Sequence, residues 1–167
     1  MVMDNEGTTD VLVCQTCQEA AEMGVGCSEH QPCCSVVGFW LVGKVVRYVF
    51  VAPGEETLWF VLVGGEVVCW STEGGCCSET WFSDITGFEA LIGSPILSVR
   101  NLELSVDDGR CRQDYDTFYG VEFVTHKGRC HVAYRNSSNG YYGGDSSMEV
   151  VQTLPENLKE IVDDWSA

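Results

Sequence analysis

The sequence predicts an α+β fold that is mainly antiparallel β-sheet, a roll or a sandwich. One short internal helix, a C-terminal helix and a Cys-rich N-terminal arm complete it. Three observations lead there. Glycine is frequent at 18 residues, proline is scarce at four, and valine is abundant, a mixture that suits strands joined by many turns. Apolar residues make up 45% of the chain, with five Trp, six Tyr and seven Phe, enough to build a packed core. Short Val- and aromatic-rich runs recur between glycine-containing turn signals, which is the pattern of hairpin-connected strands. Three parts are expected: a Cys-rich acidic arm over 1–35, a β-rich domain over 36–153 and an amphipathic helix over 154–167 docked on that domain.

The β-rich part opens with "VVGFWLVGKVVRYVFVA", residues 36–52. It is too long for one flat strand, so a bend or bulge is expected near Gly43. Residues 53–56 read as a turn. Residues 57–63 and 66–72 form a hairpin across Gly64-Gly65. Residues 80–85 give a fourth strand. Residues 86–93 hold one helical turn closed by Gly93, a residue type suited to the left-handed position after a helix. Residues 94–106 return to strand, and 107–116 form a polar loop.

"YGVEFVTHKGRCHVAYRN" is the clearest hairpin. With Lys127-Gly128 at its centre, alternation places Val121, Phe123, Thr125, Cys130, Val132 and Tyr134 on a core face. Glu122, Val124, His126, Arg129, His131 and Arg135 then share a wet face. In the tail, Pro155 suits a first helical turn, and Leu154, Leu158, Ile161 or Val162, and Trp165 fall on one helical stripe.

The formal net charge is −16, and residues 1–43 contain no Lys or Arg. Every segment is acidic, so direct nucleic-acid binding, which needs bases to neutralise phosphates, is not expected. No apolar run approaches the ~20 residues that span a bilayer, so no membrane partner is expected. The acidic, polar start does not resemble a secretory leader. The expected location is therefore the cytoplasm, where thiols stay reduced.

The ten cysteines carry the sharpest chemical signal. Cys14 and Cys17 are two residues apart, as are Cys27 and His30, with Cys33 and Cys34 following. Zinc takes four sulfur or nitrogen ligands in a tetrahedron, and ligand pairs at this spacing fit a tight knuckle. A 35-residue segment with few large apolar groups would draw its folding free energy from the metal. A structural zinc ion on four of these six side chains is one reading. A thiol-bearing arm without metal and a set of disulfides are the alternatives. Cys76-Cys77 are adjacent; in a strand they would point to opposite faces, one thiol buried and one exposed. Cys130 falls on the core face and reads as an inert thiol. His126 and His131 lie near Glu122 on the wet face and offer a weaker metal constellation. No P-loop, dinucleotide fingerprint, nucleophile elbow or zinc-protease motif is present. In "SSNGYYGGD", Asn139-Gly140 is a turn pair and Tyr141 and Tyr142 follow it. These four residues form the candidate recognition surface.

Several of these features occur together in a fixed order. Gly43-Lys44 comes first, then Cys76-Cys77, "DITGFEALIGSPIL" at 84–97, "TFY" at 117–119 and "SSNGYY" at 137–142. In this the chain resembles a family of unknown function common in bacteriophages and actinobacterial genomes, over roughly residues 36–153. Its members show Gly-Lys, Asp-Cys-Cys-Glu, Ile-Gly-Ser-Pro-Ile, Thr-Phe-Tyr, Lys-Gly and Ser-Asn-Gly-Tyr-Tyr boxes. Here Gly75 and Ser78 replace the acids around the Cys pair, and Gly143-Gly144 follow Tyr142. The resemblance implies a phage-type context and no particular chemistry.

The expected function is a non-enzymatic accessory protein that binds an unidentified protein of host or phage. A metal-dependent or thiol-based enzyme is one alternative. An acidic mimic of nucleic acid, inhibiting a host DNA-binding protein, is the other.

Overall fold

The structure, a computed structural model, describes residues 36–105 and 108–167. The Cys-rich arm and its candidate zinc ligands Cys14, Cys17, Cys27, His30, Cys33 and Cys34 lie outside the described residues.

Among the described residues, ten strands run in chain order: β1 Val46–Val51, β2 Thr57–Leu62, β3 Val67–Gly74, β4 Glu79–Thr86, β5 Ile96–Glu103, β6 Tyr115–Thr125, β7 Gly128–Ser138, β8 Gly144–Val151, β9 Lys159–Ile161 and β10 Trp165–Ser166. They form two five-stranded sheets, ordered β8-β3-β2-β1-β9 and β10-β4-β7-β6-β5. Each strand pair within them is antiparallel. Helix is confined, among the described residues, to a 3-10 turn at Phe39–Leu41 and a four-residue α1 at Phe88–Leu91. The expected α+β class is thus corrected to a two-sheet β fold.

Most of the strands fall where the sequence pattern places them. Gly93 follows α1 with φ 72°, as expected of a residue after a helix end. The bend near Gly43 is a fuller break: Gly38 and Gly43 both adopt positive φ around the 3-10 turn, and β1 starts only at Val46. β8 was not foreseen. It is an edge strand with no fully buried residue, so it lacks the strong apolar alternation that marks the central strands.

The β6–β7 hairpin keeps its faces and slides its register. Thr125 pairs with Gly128 and Phe123 with Cys130, so His126-Lys127 occupy the turn and not Lys127-Gly128. A two-residue slide leaves every side chain on its original face, and Val121, Phe123, Thr125, Cys130, Val132 and Tyr134 are all buried.

The sheets meet over an aromatic core. Trp70 of β3 is fully buried, and its ring lies 4.9 Å from Phe82, 6.1 Å from Phe60, 6.1 Å from Phe123 and 6.3 Å from Tyr134, all edge-on. Phe60 and Trp70 come from one sheet, the others from its opposite. Each such contact adds about 0.5–1.5 kcal/mol beyond area burial. Cys130 sits in this core, and burial, with Asp164 adding to it, pushes its thiol up to about 12. It is the inert thiol expected.

The predicted C-terminal helix is not formed. β9 pairs with β1 at the edge of one sheet, and β10 pairs with β4 at the edge of the other. Extended chain advances about 3.3 Å per residue against 1.5 Å for helix, so a few residues can bridge both edges. The helical stripe does not form: Ile161, in β9, is 4% exposed, and Val162, just past it, is 76% exposed. Asn157 adopts φ 65° ahead of β9. The segment is fastened by side chains as well. Asp164 accepts a hydrogen bond from the Phe88 backbone N–H at 2.8 Å, and Ser166 donates to Asp84 at 2.8 Å.

These assignments separate two neighbouring substitutions. Ile161→Ala should lower stability by about 2–4 kcal/mol, and Val162→Ala should change it by less than about 0.5 kcal/mol, both read from urea unfolding.

Candidate functional site

Two connections pass between the sheets side by side. β3 leads into β4 and β7 into β8, and the four strands pair crosswise: Gly74 of β3 faces Gly144 of β8, and Glu79 of β4 faces Ser137 of β7. The turns 75–78 and 139–143 therefore share one end of the molecule. Space there is tight. A Cβ on Gly74 would lie 2.8 Å from Ser78 Oγ, and one on Gly144 would lie 2.8 Å from Thr80 Cγ2 and 2.9 Å from Asn136 Cβ. Beneath the turns, buried Asn136 donates through Nδ2 to Thr80 Oγ1 at 2.8 Å and Ser78 Oγ at 3.0 Å. Ser78 Oγ in turn donates to the Gly75 carbonyl at 3.0 Å. This lattice holds the tip from below.

The predicted recognition residues sit on that tip. Asn139 Oδ1 accepts from the Tyr141 N–H and Ser138 Oγ from the Gly140 N–H, a local turn chemistry typical of these side chains. Gly140 has φ 91°, and a Cβ there would lie 3.0 Å from the Tyr115 ring. Tyr141 is 90% exposed and Tyr115 is 64% exposed. Tyr142 is also exposed and lies across Gly75, where a Cβ would come within 3.0 Å of its ring. Three tyrosines thus gather on one end. Tyr115 escaped the sequence reading, because only the pairing of Tyr115 with Ser138 brings it there.

Cys76 and Cys77 occupy the adjoining turn. Both are exposed, correcting the expectation of one buried and one exposed thiol. Cys77 adopts φ 62°, and the two sulfurs lie 3.4 Å apart on one side of the chain. Cys111 is exposed and donates to the Gln113 carbonyl, and Cys69 is buried.

The face expected to be wet is split. Its His131–Glu122 part is a cross-strand row in which Glu122 is almost fully buried. Glu122 takes His131 Nε2 on one oxygen at 2.6 Å, and Arg100 Nε at 2.6 Å and Arg129 Nη1 at 3.5 Å on the other. Burial pushes its carboxyl up, but the bonds from Arg100 and His131 outweigh this and leave it lowered. His126 sits apart in the exposed hairpin turn. Among the described residues, no group of three or more His, Cys, Asp or Glu is arranged to hold a metal.

Arg135 on the same face is 1% exposed, not solvated. The loop after β5 folds over it. Arg135 donates to both oxygens of Asp108, at 3.1 and 2.7 Å, and reaches Asp116 at 3.4 Å. Its guanidinium lies 4.7 Å from the Phe118 ring centre. Arg110 bridges Asp108 and Asp84, and Arg112 stacks on Trp81 at 3.9 Å. The Arg135 hydrogen bond, with help from Arg110, holds the Asp108 carboxyl well below the usual range. Burial pushes Asp84 up, but hydrogen bonds from Ser166, Ser83 and Arg110 leave it lowered. A long polar side chain in an alternating strand reads as solvent-facing, and only the covering loop reverses that.

Small clefts of about 230 and 280 Å³ flank the tip, one beside Tyr119, Tyr134 and Asp145, the other beside Thr72, Trp81 and Arg112. Neither is lined by Cys76, Cys77, His126 or His131. No helix of the described residues is long and apolar enough to cross a membrane.

Residues 40–148 match the family model of a domain of unknown function, DUF7448. The chain belongs to this family. The DUF7448 match runs from Trp40 in the 3-10 turn to Met148 in β8. It contains the β3–β4 and β7–β8 crossings, the Cys pair and the three tyrosines, and it leaves out β9 and β10. No curated protein and no solved structure matches the chain.

Removing Arg135 tests the covering loop. Arg135→Ala removes the buried guanidinium that Asp108 and Asp116 share and should lower stability at neutral pH. Asp108 and Asp84 are lowered from an ordinary value of 3.8. Their contribution is therefore complete above that value and lost as pH falls below it. Wild type and variant should converge in urea midpoint between neutral pH and acid, and parallel curves would refute the linkage.

Proposed function

We propose that this protein is a non-enzymatic binding module, an accessory protein of phage type, that recognises a basic segment of a protein partner. The observation that carries the reading is the group of exposed tyrosines, Tyr115, Tyr141 and Tyr142, on a tip braced by Asn136. Tyrosine gives large, rigid contact area at low entropic cost and is enriched where interfaces draw their energy. Its ring face also attracts Arg and Lys. Exposed carboxylates accompany the rings. Asp114 precedes Tyr115, and Glu73 faces Asp145 across the β3–β8 pair. Two like charges directly opposite are unfavourable on their own, and a cation from a partner would relieve them. The overall charge of −16 favours association with a basic surface.

The reading keeps a structural zinc ion on four of Cys14, Cys17, Cys27, His30, Cys33 and Cys34. Its support is their spacing in the sequence. It places the protein in the host cytoplasm.

Affinity capture from the natural host, read by mass spectrometry, tests the binding role. A captured protein should be lost from Tyr141→Ala and Tyr142→Ala baits, with an affinity drop of about 30-fold or more and no change in thermal unfolding. Raising salt should weaken the complex. A partner whose capture survives both substitutions would overturn the reading. A DNA-binding partner displaced by DNA would replace it with the nucleic-acid mimic. Separately, protein purified without chelator should carry about one equivalent of zinc, and less than about a tenth would remove the zinc site.

A further inference from the structure

We propose that Cys76 and Cys77 form a dithiol site for a trivalent, pyramidal thiophile of the organoarsenic class. Adjacent side chains in extended chain point apart. Here the positive φ of Cys77, 62°, breaks that alternation and brings the sulfurs to 3.4 Å. The turn is fixed before any ligand arrives. Ser78 returns both its N–H and its Oγ to the Gly75 carbonyl, at 3.1 and 3.0 Å. Asn136 holds Ser78 from beneath, and the Tyr142 ring rests on Gly75. Both thiols are exposed, so a ligand can reach them without opening the fold.

The sulfur separation selects among occupants. A disulfide needs sulfurs about 2.0 Å apart, and it usually joins Cα atoms about 4.4–6.8 Å apart. Neighbouring Cα atoms across a trans peptide are about 3.8 Å apart, so the bonded form would be strained. Tetrahedral zinc, with two bonds of about 2.3 Å, would hold its sulfurs about 3.8 Å apart and still require two more ligands. Among the described residues no third His, Cys, Asp or Glu completes such a set. A linear two-coordinate ion would push the sulfurs further still, to about twice a metal–sulfur bond, ~4.6 Å. A pyramidal centre has narrower angles than a tetrahedron. It uses two sulfurs and keeps its own organic substituent, so the observed spacing and ligand count both suit it.

The reaction is a condensation. An arsenoso group, R–As=O, meets the two thiols. Two As–S bonds form, the As=O bond breaks, and both thiol protons leave with the oxygen as water. Arsenic stays trivalent and sulfur keeps its oxidation state, so no oxidant or reductant is needed.

Phenylarsine oxide is the probe, used on the reduced full-length chain. After exposure, free thiols are alkylated and the protein is cleaved with trypsin. Cys76 and Cys77 fall in the peptide 48–100, whereas the six cysteines of the N-terminal arm fall in the peptide ending at Lys44. The two regions are thus read separately. In the 48–100 peptide, Cys76 and Cys77 should be shielded together by one probe molecule, with Cys111 still alkylated elsewhere. Cys76→Ser and Cys77→Ser should each abolish the shielding and weaken capture by about 100-fold or more, the loss of a second tethered contact. Cys69→Ser and Cys111→Ser should leave it intact, and unchanged thermal unfolding of the serine variants excludes misfolding. Equal alkylation of Cys76 and Cys77 with and without the probe would overturn the proposal. So would shielding that survives in either single-serine variant, or a Cys76–Cys77 disulfide in the untreated reduced protein.

Discussion

The close approach of backbone at the β3–β4 and β7–β8 crossings is the constraint on which the tip and the pairing around it depend. Gly74 and Gly144 face each other in the β3–β8 ladder, against Thr80 and Asn136 of the opposite sheet. A methyl group at either would displace backbone or the Asn136–Thr80 hydrogen bond. Because both positions are glycine, β3 can pass into β4 while β7 passes back into β8 beside it. The same closeness seats Tyr142 on Gly75 and sets the Cys76–Cys77 turn next to the tyrosines. What the tip displays follows from how tightly the chain crosses beneath it.

The two faces of the second sheet are stabilised by different physics. Its inner face meets Trp70 and depends on apolar burial and ring geometry. Its outer face is shielded by a polar loop. Arg135 is buried there because carboxylates on three elements converge on it, and Phe118 covers its guanidinium. Truncating one member of such a buried set exposes the others to the full desolvation penalty. The loop is therefore part of the fold and not an ornament on it.

The central strands were legible in the sequence because valine and aromatic runs between glycines leave little choice. Strand faces in the β6–β7 hairpin were legible for the same reason, although the turn centre was misplaced by a residue. A two-residue slide keeps alternation unchanged, so alternation has no power to detect it. The last segment was misread because Leu158, Ile161 and Trp165 satisfy a helical stripe as well as a strand pattern over so few residues. Tertiary pairing decides such cases. The recognition turn at Asn139–Tyr142 was visible from its own residues. The company it keeps was not: Tyr115, Gly75 and the Cys pair reach it only through ladders spanning dozens of residues. Likewise, nothing local to Arg135 announces that residues 108–112 will bury it.

β9 and β10 have a consequence for how the protein is made. Each covers a stretch of edge, β9 along β1 and β10 along β4. Until residues 159–166 have left the ribosome, both sheets keep those edges open, with unpaired N–H and C=O groups facing outward. Open edges recruit other strands, and incomplete chains are vulnerable to this during synthesis. A chain without residues 159–166 would thus carry two adhesive borders.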